Sequence, residues 1–191
     1  MKNPIFKLNN LKNNLNNKII LDIKKLEIHR GSCYVIYGDI GSGKSTLLKF
    51  LYKLIRPFNE SLLYEMNDIN KLTKNHYYKD IHYVPQIIKT PWFRVKVSDY
   101  MLKKIKSYKH LSNPERKLNE ISNKMKLKNY LDKDFNTLSD GEQRWIELGT
   151  AIACDTKVLL IDGFGQYLGS EKINILSRIL YKKINYDGVT L

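Results

Sequence analysis

The sequence predicts an α/β protein with a mostly parallel sheet, and three observations support that prediction. Short apolar runs of strand length alternate with segments in which apolar residues recur at helical spacing. The glycine-rich loop "GDIGSGKST" (38–46) lies between a strand-like run and a helix-like run. Another apolar run, "KVLLI" (157–161), is followed directly by Asp162. Because such sheets bind ligands at the carboxyl ends of their strands, we expect the functional site at that edge.

The first half of the chain is predicted to contribute strands and one clear helix. Residues 33–37, "CYVIY", are typical of a strand, and the helical spacing that follows the glycine-rich loop continues until Pro57. "SLLYEMNDI" (61–69) indicates a hairpin strand, and "IHYV" (81–84) indicates a strand that ends at Pro85. We therefore expect an antiparallel β part near the N-terminus beside the start of the parallel sheet.

A mainly helical insert, at about residues 90–140, is predicted to interrupt the α/β pattern. Asn113 can cap a helix that has Pro114 in its first turn. Leu118, Ile121 and Met125 fall on one face of that helix, so that face is expected to be buried.

The α/β pattern resumes after the insert. Residues 137–155 are predicted to form a turn and a helix, and residues 171–184 form an amphipathic helix. Residues 189–191 are typical of the opening of one more strand, which is cut short at Leu191. Residues 1–191 are thus interpreted as a single domain with a helical insert.

Composition restricts the class of protein. A chain of 191 residues that is 42% hydrophobic can build one sizeable core. It has no apolar run near the ~20 residues that span a bilayer, and its Asn-rich N-terminus lacks the apolar centre of a signal peptide. We expect a cytoplasmic or organelle-internal protein. Cys33 and Cys154 have no metal-type spacing, so both are interpreted as packed thiols.

The net charge of +14, from 33 basic and 19 acidic residues, raises the possibility of a polyanionic partner. The excess is nearly all lysine, however, and it is scattered among Asn, Ile and Tyr as an A/T-biased coding sequence would produce. No cluster of basic residues alternates with aromatic residues to stack bases. Nucleic acid is therefore not expected as a partner.

The loop "GDIGSGKST" satisfies the phosphate-binding pattern. Gly38 and Gly43 allow a tight turn of inward-pointing N–H groups, which together with the helix N-terminus would hold a β-phosphate. Lys44 would add a positive charge at the β- and γ-phosphates, and Ser45 would be a ligand of Mg²⁺. The loop also follows a predicted strand and opens a predicted helix, as the motif requires.

Three further features appear in a characteristic order: Gln86 after a strand, "LSDGE" (138–142) at the start of a helix, and Asp162 at the end of a strand. From about Phe6 onward the chain resembles the nucleotide-binding subunit of ABC transporters, whose core is of the P-loop NTPase type. In that resemblance, "GDIGSGKST" is similar to Walker A, Gln86 to the Q-loop glutamine, "LSDGE" to the signature and Asp162 to the Walker B aspartate. The pattern is most similar to short bacterial-type subunits of the cell-division, lipoprotein-release or haem-exporter kind.

The resemblance implies ATP and Mg²⁺ as cofactors and a head-to-tail dimer that closes over two ATP molecules. It implies ATP contacts at Gly38, Asp39, Gly41, Ser42, Gly43, Lys44, Ser45, Thr46 and Gln86. The implied Mg²⁺ ligands are Ser45, Gln86 and, through water, Asp162. The implied contacts to the ATP of the second ABC subunit are Ser139, Asp140, Gly141 and Glu142. A polytopic membrane permease is the other implied partner, touched by the Q-loop and the helical insert at the inner face of a membrane.

The hydrolytic half departs from the family pattern. Gly163 stands where the family has the glutamate that activates water, and no histidine follows a strand beginning near residue 188. The resemblance therefore implies no intact catalytic residue and hydrolysis that is weak or dependent on a partner. Other departures are Asp140 for a signature glycine, Trp145 and Thr150 for arginines, Gly169 for an aspartate, and Asn14 for the aromatic residue that stacks on adenine.

Two alternatives to a transporter subunit stay open from the sequence. One is a regulatory module in which ATP drives dimerisation without transport. The other is a soluble ABC-type ATPase that acts on nucleic acid or ribosomes, for which the net charge of +14 is the only support.

Overall fold

The computed structural model describes residues 3–15 and 18–191, within which the chain forms six strands and six α-helices. The strands are β1 (Phe6–Leu15), β2 (Lys18–Ile28), β3 (Leu62–Tyr64), β4 (Asn67–Asp68), β5 (Ile81–Val84) and β6 (Val158–Ile161). The helices are α1 (Lys44–Leu51), α2 (Lys74–Tyr78), α3 (Val97–Lys106), α4 (Pro114–Lys124), α5 (Asp140–Ala153) and α6 (Ser170–Asp187).

The N-terminal part is an antiparallel sheet in the order β2-β1-β3-β4, which confirms the predicted antiparallel β part and the hairpin in residues 61–69. In β1, Phe6 and Leu8 alternate with polar residues and are buried, as a strand with one face on the core requires. Their face packs in one apolar cluster with Leu47 and Phe50 of α1. Packing against this sheet therefore fixes the helix that carries the phosphate-binding motif.

Strands β5 and β6 pair in parallel, with Ile81 opposite Val158 and Val84 opposite Ile161. Both predicted strands are confirmed. A parallel bridge joins Val158 to Thr190, and the N–H of Leu159 donates to the carbonyl of Thr190 at 2.9 Å. Residues 189–191 thus open a further parallel strand beside β6, as predicted.

The prediction of a regular strand at residues 33–37 is wrong. No strand is assigned there, and the segment pairs only at its start, where the Tyr34 N–H donates to the carbonyl of Leu191 at 2.8 Å and the Leu191 N–H donates to the carbonyl of Ser32 at 3.1 Å. Within the described ranges, no backbone hydrogen bond joins residues 35–37 to another segment. A strand needs a hydrogen-bonded neighbour, and Val35 and Tyr37 instead remain 86% and 97% exposed. A cleft of about 510 Å³ lies between this segment, the end of β6 and α6.

Helices α3, α4 and α5 pack around a second apolar cluster that includes Met101, Ile121 and Trp145. The predicted start of α4 is confirmed, since the Asn113 side chain accepts a hydrogen bond from the N–H of Arg116 and Pro114 lies in the first turn. Leu118, Ile121 and Met125 are buried, as their spacing predicted.

Helix α5 starts one residue after Ser139, and α6 covers the predicted segment 171–184. In α6, Leu176 and Leu180 are buried while Ile173, Ile179 and Ile184 are partly buried. None of the helices in the described part of the chain has both the length and the apolar character needed to cross a bilayer.

Candidate functional site

The glycine-rich loop turns directly into α1, which begins at Lys44. Gly43 has φ of 89°, a left-handed conformation that glycine adopts without strain, and a Cβ at this position would lie 2.6 Å from the carbonyl oxygen of Ile20. Only glycine therefore lets the loop lie against β2. The first N–H groups of α1 have no hydrogen-bond partner within the helix and lie next to the loop. Such free N–H groups at a helix N-terminus bind phosphate.

The Lys44 ammonium lies inside this loop. Its Nζ donates to the carbonyl oxygens of Gly38 at 2.7 Å and Asp39 at 2.6 Å, and to the hydroxyl of Ser42 at 3.2 Å. The positive charge is thus held beside the N–H groups of the turn by neutral acceptors, which leave the charge uncompensated. Such a charge is suited to binding an anion.

Ser45, on the first turn of α1, contacts Asp162, the residue after β6. The Ser45 hydroxyl donates to Oδ1 of Asp162 at 2.9 Å, and the hydroxyl of Tyr83 donates to Oδ2 at 3.1 Å. Burial, and next the neighbouring Asp162 carboxylate, raise the pKa of Tyr83, so its hydroxyl stays protonated and continues to donate. The buried Asp162 carboxylate is thereby fixed facing the loop.

Arg144 of α5 ties the helix to the ends of both parallel strands. Its guanidinium is buried and donates to the carbonyl oxygens of Pro85, Asp162 and Gly163, the last at 3.1 Å. Burial lowers the pKa of Arg144, opposed by the carboxylate of Asp162 and then by that of Glu147. The backbone on either side of the candidate site is therefore cross-linked by one buried cation.

Gln86 and Gly163 lie side by side at this edge of the sheet. Gln86 is exposed, and its Cγ would be 3.4 Å from a Cβ built on Gly163. The parallel pairing of β5 and β6 produces this proximity, because the carboxyl ends of parallel strands meet at the same edge. The structure thus brings together the Q-loop-like glutamine, the Walker-B-like Asp162 and the loop of Ser45.

The signature-like residues form the start of α5. Ser139 caps the helix in a reciprocal arrangement: its hydroxyl accepts from the N–H of Glu142, and the Glu142 carboxylate accepts from the N–H of Ser139 at 2.9 Å. The hydrogen bond from the Ser139 backbone N–H, and next the one that the Ser139 hydroxyl donates to the same carboxylate, lower the pKa of Glu142. Asp140 is exposed at the first helical position, and a Cβ on Gly141 would lie 2.6 Å from the carbonyl of Tyr167.

The hydrogen bonds of the Ser139 side chain stay within residues 139–142, whereas Ser45 and Asp162 bond to each other. The predicted site residues therefore form two groups on this chain. One comprises the loop, Gln86 and Asp162. The other is the helix N-terminus at Ser139, whose Asp140 lines a small cleft together with Gln86.

Sequence reasoning missed Tyr83 and Arg144. The contact of Tyr83 with Asp162 could have been predicted, because Tyr83 lies near the end of β5 and the ends of parallel strands β5 and β6 are adjacent. Arg144 had no such signal, because a cation in the first turns of a helix is usually solvated. The residues that replace the usual arginines are structural: the Trp145 indole donates to Met125 at 3.1 Å, and the Thr150 hydroxyl donates to Ile146 at 2.8 Å.

Three residues that depart from the family pattern have the following positions in the structure. Gly163 follows Asp162 directly with φ of 70°. Gly169 caps α6 without a side chain, and Asn14 is exposed in β1 beside a β-bulge.

Comparison with known proteins shows similarity to ATP-binding proteins of ABC transporters. A family model described as ABC transporter matches residues 21–163. The cytochrome c biogenesis ATP-binding export protein CcmA of Rickettsia bellii is 25% identical over 181 residues, which cover 95% of this chain and 88% of that protein. The molybdate/tungstate import ATP-binding protein WtpC of Methanocaldococcus jannaschii is 29% identical, over 83% of this chain and 52% of that protein.

Solved structures share the fold. A dimeric ATP-binding cassette in a post-hydrolysis state, bound to ADP and Pi, superposes with a TM-score of 0.81 at 24% identity, covering 97% of this chain and 85% of that one. The ATP-binding subunit of an ABC transporter superposes with a TM-score of 0.84 at 16% identity, covering 94% and 75%. At these identities the likeness establishes the fold alone, a P-loop core of the ABC type.

Proposed function

Because the chain belongs to the ABC transporter family of ATP-binding proteins, we propose that it binds Mg-ATP at a head-to-tail dimer interface and so drives or gates a membrane permease. The observation that carries the proposal is the contact of Ser45 with Asp162 beside a loop that holds Lys44. Ser45 and Asp162 meet although they are 117 residues apart in the sequence.

The nucleotide would bind at the loop of residues 38–46. The N–H groups of the loop and of the first turn of α1, where Thr46 also lies, would donate to the β-phosphate, and Lys44 would exchange its carbonyl partners for phosphate oxygens. Asn14 offers no ring for adenine, so the phosphates supply most of the affinity.

The residues present fit Mg²⁺. A serine hydroxyl and a carboxylate lie 2.9 Å apart, and both are hard oxygen donors of the type that Mg²⁺ prefers. Ser45 and Asp162 would hold the ion, Asp162 through water, with Gln86 nearby. When bound, Mg²⁺ neutralises phosphate charge.

The second subunit would close the site with the start of its own α5. Ser139, Asp140, Gly141 and Glu142 line an exposed helix N-terminus, and the positive end of a helix favours the γ-phosphate. Asp140 opposes this attraction by placing a negative charge at the first helical position. Closure of the dimer, and not hydrolysis by this chain alone, is the step that moves the partner.

Hydrolysis by this chain is proposed to be weak. Gly163 has no side chain to accept a proton from water, and the loss of such a group costs roughly 10²- to 10⁴-fold in rate. Tyr83 cannot replace it, because its raised pKa keeps the hydroxyl protonated and its oxygen lies against Asp162.

The contact with the permease is proposed to lie after Gln86, at the inner face of a membrane and on its cytoplasmic or organelle-internal side. Ile87, Trp92 and Phe93 are 78%, 94% and 48% exposed, whereas Ile88 packs against the apolar cluster that includes Met101, Ile121 and Trp145. Exposed apolar side chains that lie close together in the sequence are typical of a protein–protein contact.

A pull-down from native membranes tests the transporter role. The tagged chain should recover a polytopic membrane protein, and Trp92→Ala should reduce that recovery while Tyr186→Ala, which alters an exposed aromatic residue on α6, leaves it unchanged. Recovery of RNA or ribosomes without a membrane protein would replace the transporter role by the nucleic-acid alternative. Dimerisation in ATP with no membrane partner would favour the regulatory module.

If the recovered complex contains a complete ABC subunit, Ser139 separates the two composite sites. Ser139→Ala should lower the ATPase activity of the mixed complex, because this chain's helix N-terminus closes over the partner's ATP. Asp162→Ala should lower the ATPase activity of the mixed complex only to the extent that it weakens ATP-driven dimerisation. Equal losses in the two variants would contradict the proposed arrangement of sites.

A further inference from the structure

The turn after β6 is held from two directions. The N–H of Gln166 donates to the carbonyl of Gly163 at 3.1 Å, and the buried Arg144 guanidinium donates to the same oxygen at 3.1 Å. The chain therefore reverses between residues 163 and 166, and the Gln166 side chain is brought back towards Gly163.

The Gln166 amide occupies the place where a side chain on residue 163 would begin. A Cβ built on Gly163 would be 2.8 Å from Oε1 of Gln166, closer than real Cβ atoms approach an oxygen. The Gln166 amide can therefore lie beside residue 163 because glycine has no side chain there.

The Gln166 oxygen is buried and accepts no hydrogen bond from any residue in the described ranges. A buried acceptor without a partner costs about 1–3 kcal/mol, so such atoms are usually satisfied by water or by a ligand. Its surroundings are those of the candidate site: Gly163 adjoins Asp162, which binds Ser45, and the Gln86 side chain approaches the same point to 3.4 Å.

We propose that Gln166 positions the attacking water in the slow hydrolysis of ATP by this chain, in the place of the carboxylate that is absent at Gly163. The inference rests on the proposed ATP-binding function. A glutamine amide can accept a hydrogen bond from water and orient it, as glutamine does in other nucleotide hydrolases.

The amide cannot act as a base, and this determines the course of the reaction. The water oxygen forms a bond to the γ-phosphorus while the bond from that phosphorus to the β–γ bridging oxygen breaks, and the electron pair leaves with ADP. The proton of the water passes to an oxygen of the released phosphate. Gln166 orients the water throughout and exchanges no proton, so the rate stays low.

Two substitutions test the proposal by single-turnover hydrolysis with Mg-ATP bound. Gln166→Glu places a carboxylate at the same point and should raise the rate about tenfold or more, whereas Gln166→Ala should lower it about tenfold. The ATP affinity of both variants, measured by calorimetry, should stay within about twofold of that of the native chain. Tyr167→Phe, in the same turn, is the matched control and should change neither quantity.

Binding of a transition-state mimic gives a second readout that does not depend on turnover. ADP with aluminium fluoride imitates the phosphoryl group and retains the attacking water, so Gln166→Ala should weaken its binding about tenfold while binding of ADP alone is unchanged. Unchanged binding of the mimic, or a Gln166→Glu rate equal to that of the native chain, would overturn the proposal. If the native chain bound no ATP at all, the proposed function itself would fail, which is a separate outcome.

Discussion

The hydroxyl of Ser45 donates a hydrogen bond of 2.9 Å to the carboxylate of Asp162, which lies 117 residues further along the chain. This bond joins the helix that follows the glycine-rich loop to the strand that carries the Walker-B-like aspartate. Two structural features position these residues. Helix α1 packs on the antiparallel sheet, and β6 pairs with β5. The groups that would bind Mg-ATP are therefore assembled, while the group that would activate water is missing at Gly163.

Lys44→Ala should weaken the binding of Mg-ATP. The substitution removes the one side-chain cation that the loop holds through the carbonyls of Gly38 and Asp39. A charge-assisted hydrogen bond of this type contributes about 1.5–3 kcal/mol, so we expect an increase in Kd of roughly tenfold to a hundredfold. Lys49→Ala, which removes an exposed cation from the same helix, is the control in calorimetry. Equal affinities for the native chain and Lys44→Ala would show that the nucleotide binds elsewhere.

Gly163→Glu should restore little hydrolysis, although it supplies the glutamate that the family carries. The residue has φ of 70°, and a Cβ there would meet the Gln166 amide oxygen at 2.8 Å. We expect phosphate release to rise less than about tenfold, because the carboxylate starts from a strained backbone and from a position that the Gln166 amide occupies.

The strain itself can be measured with a smaller substitution. Gly163→Ala should lower the free energy of unfolding by about 1–2 kcal/mol more than Gly165→Ala, whose Cβ would meet nothing nearer than 3.6 Å. Urea denaturation gives both values. Equal losses would mean that position 163 tolerates a side chain.

Cross-linking should locate the permease contact near Trp92. A cysteine placed at Trp92, which is 94% exposed, should give a higher yield with the permease than a cysteine at the exposed but remote Lys182. The exposed apolar group of Ile87, Trp92 and Phe93 is the physical reason. If the two positions cross-link equally, the contact does not lie after the Q-loop-like segment.

His82 should make stability depend on pH in the acid range. Burial lowers the pKa of His82 from 6.5 to about 4, and its Nδ1 lies 2.8 Å from the Tyr108 hydroxyl. Between these two pH values the unfolded chain binds a proton that the folded chain does not, so stability falls as the pH drops from 6.5 towards 4.

The His82 contribution should amount to about 3 kcal/mol. Chemical denaturation at pH 7 and pH 4 should show a smaller loss for His82→Asn, which keeps a polar side chain near Tyr108 but does not titrate. The control His76→Asn alters an exposed histidine, and its loss of stability between pH 7 and pH 4 should equal that of the native chain. The same pH dependence in His82→Asn and the native chain would contradict this assignment.

Much of the fold could be predicted because local sequence and tertiary structure agree. The apolar runs at 81–84 and 157–161 have strand length, and Asn113 and Ser139 provide caps that function as their residue types indicate. Residues 33–37 show the limit of this reasoning. Their composition favours a strand, but a strand also requires a neighbour, and only Leu191 pairs there, at Ser32 and Tyr34.

The site divides in a similar way. Lys44, Ser45 and Asp162 could be identified because their roles depend on motif spacing, which the sequence displays. The contacts of Arg144 and the proposed role of Gln166 could not, because both depend on where a buried guanidinium and a folded-back amide point. Both side chains meet at the turn after Asp162, where Arg144 and the N–H of Gln166 donate to the carbonyl of Gly163.

The central claim is that this chain binds Mg-ATP but hydrolyses it slowly because no proton acceptor follows Asp162. Steady-state phosphate release by the purified chain, at saturating Mg-ATP and with Lys44→Ala as the background, tests it most directly. We predict a turnover clearly below ~1 s⁻¹, the low end of typical enzymes. Turnover at or above ~1 s⁻¹ that Lys44→Ala abolishes would contradict the account, since a group on this chain would then activate the water efficiently without the glutamate.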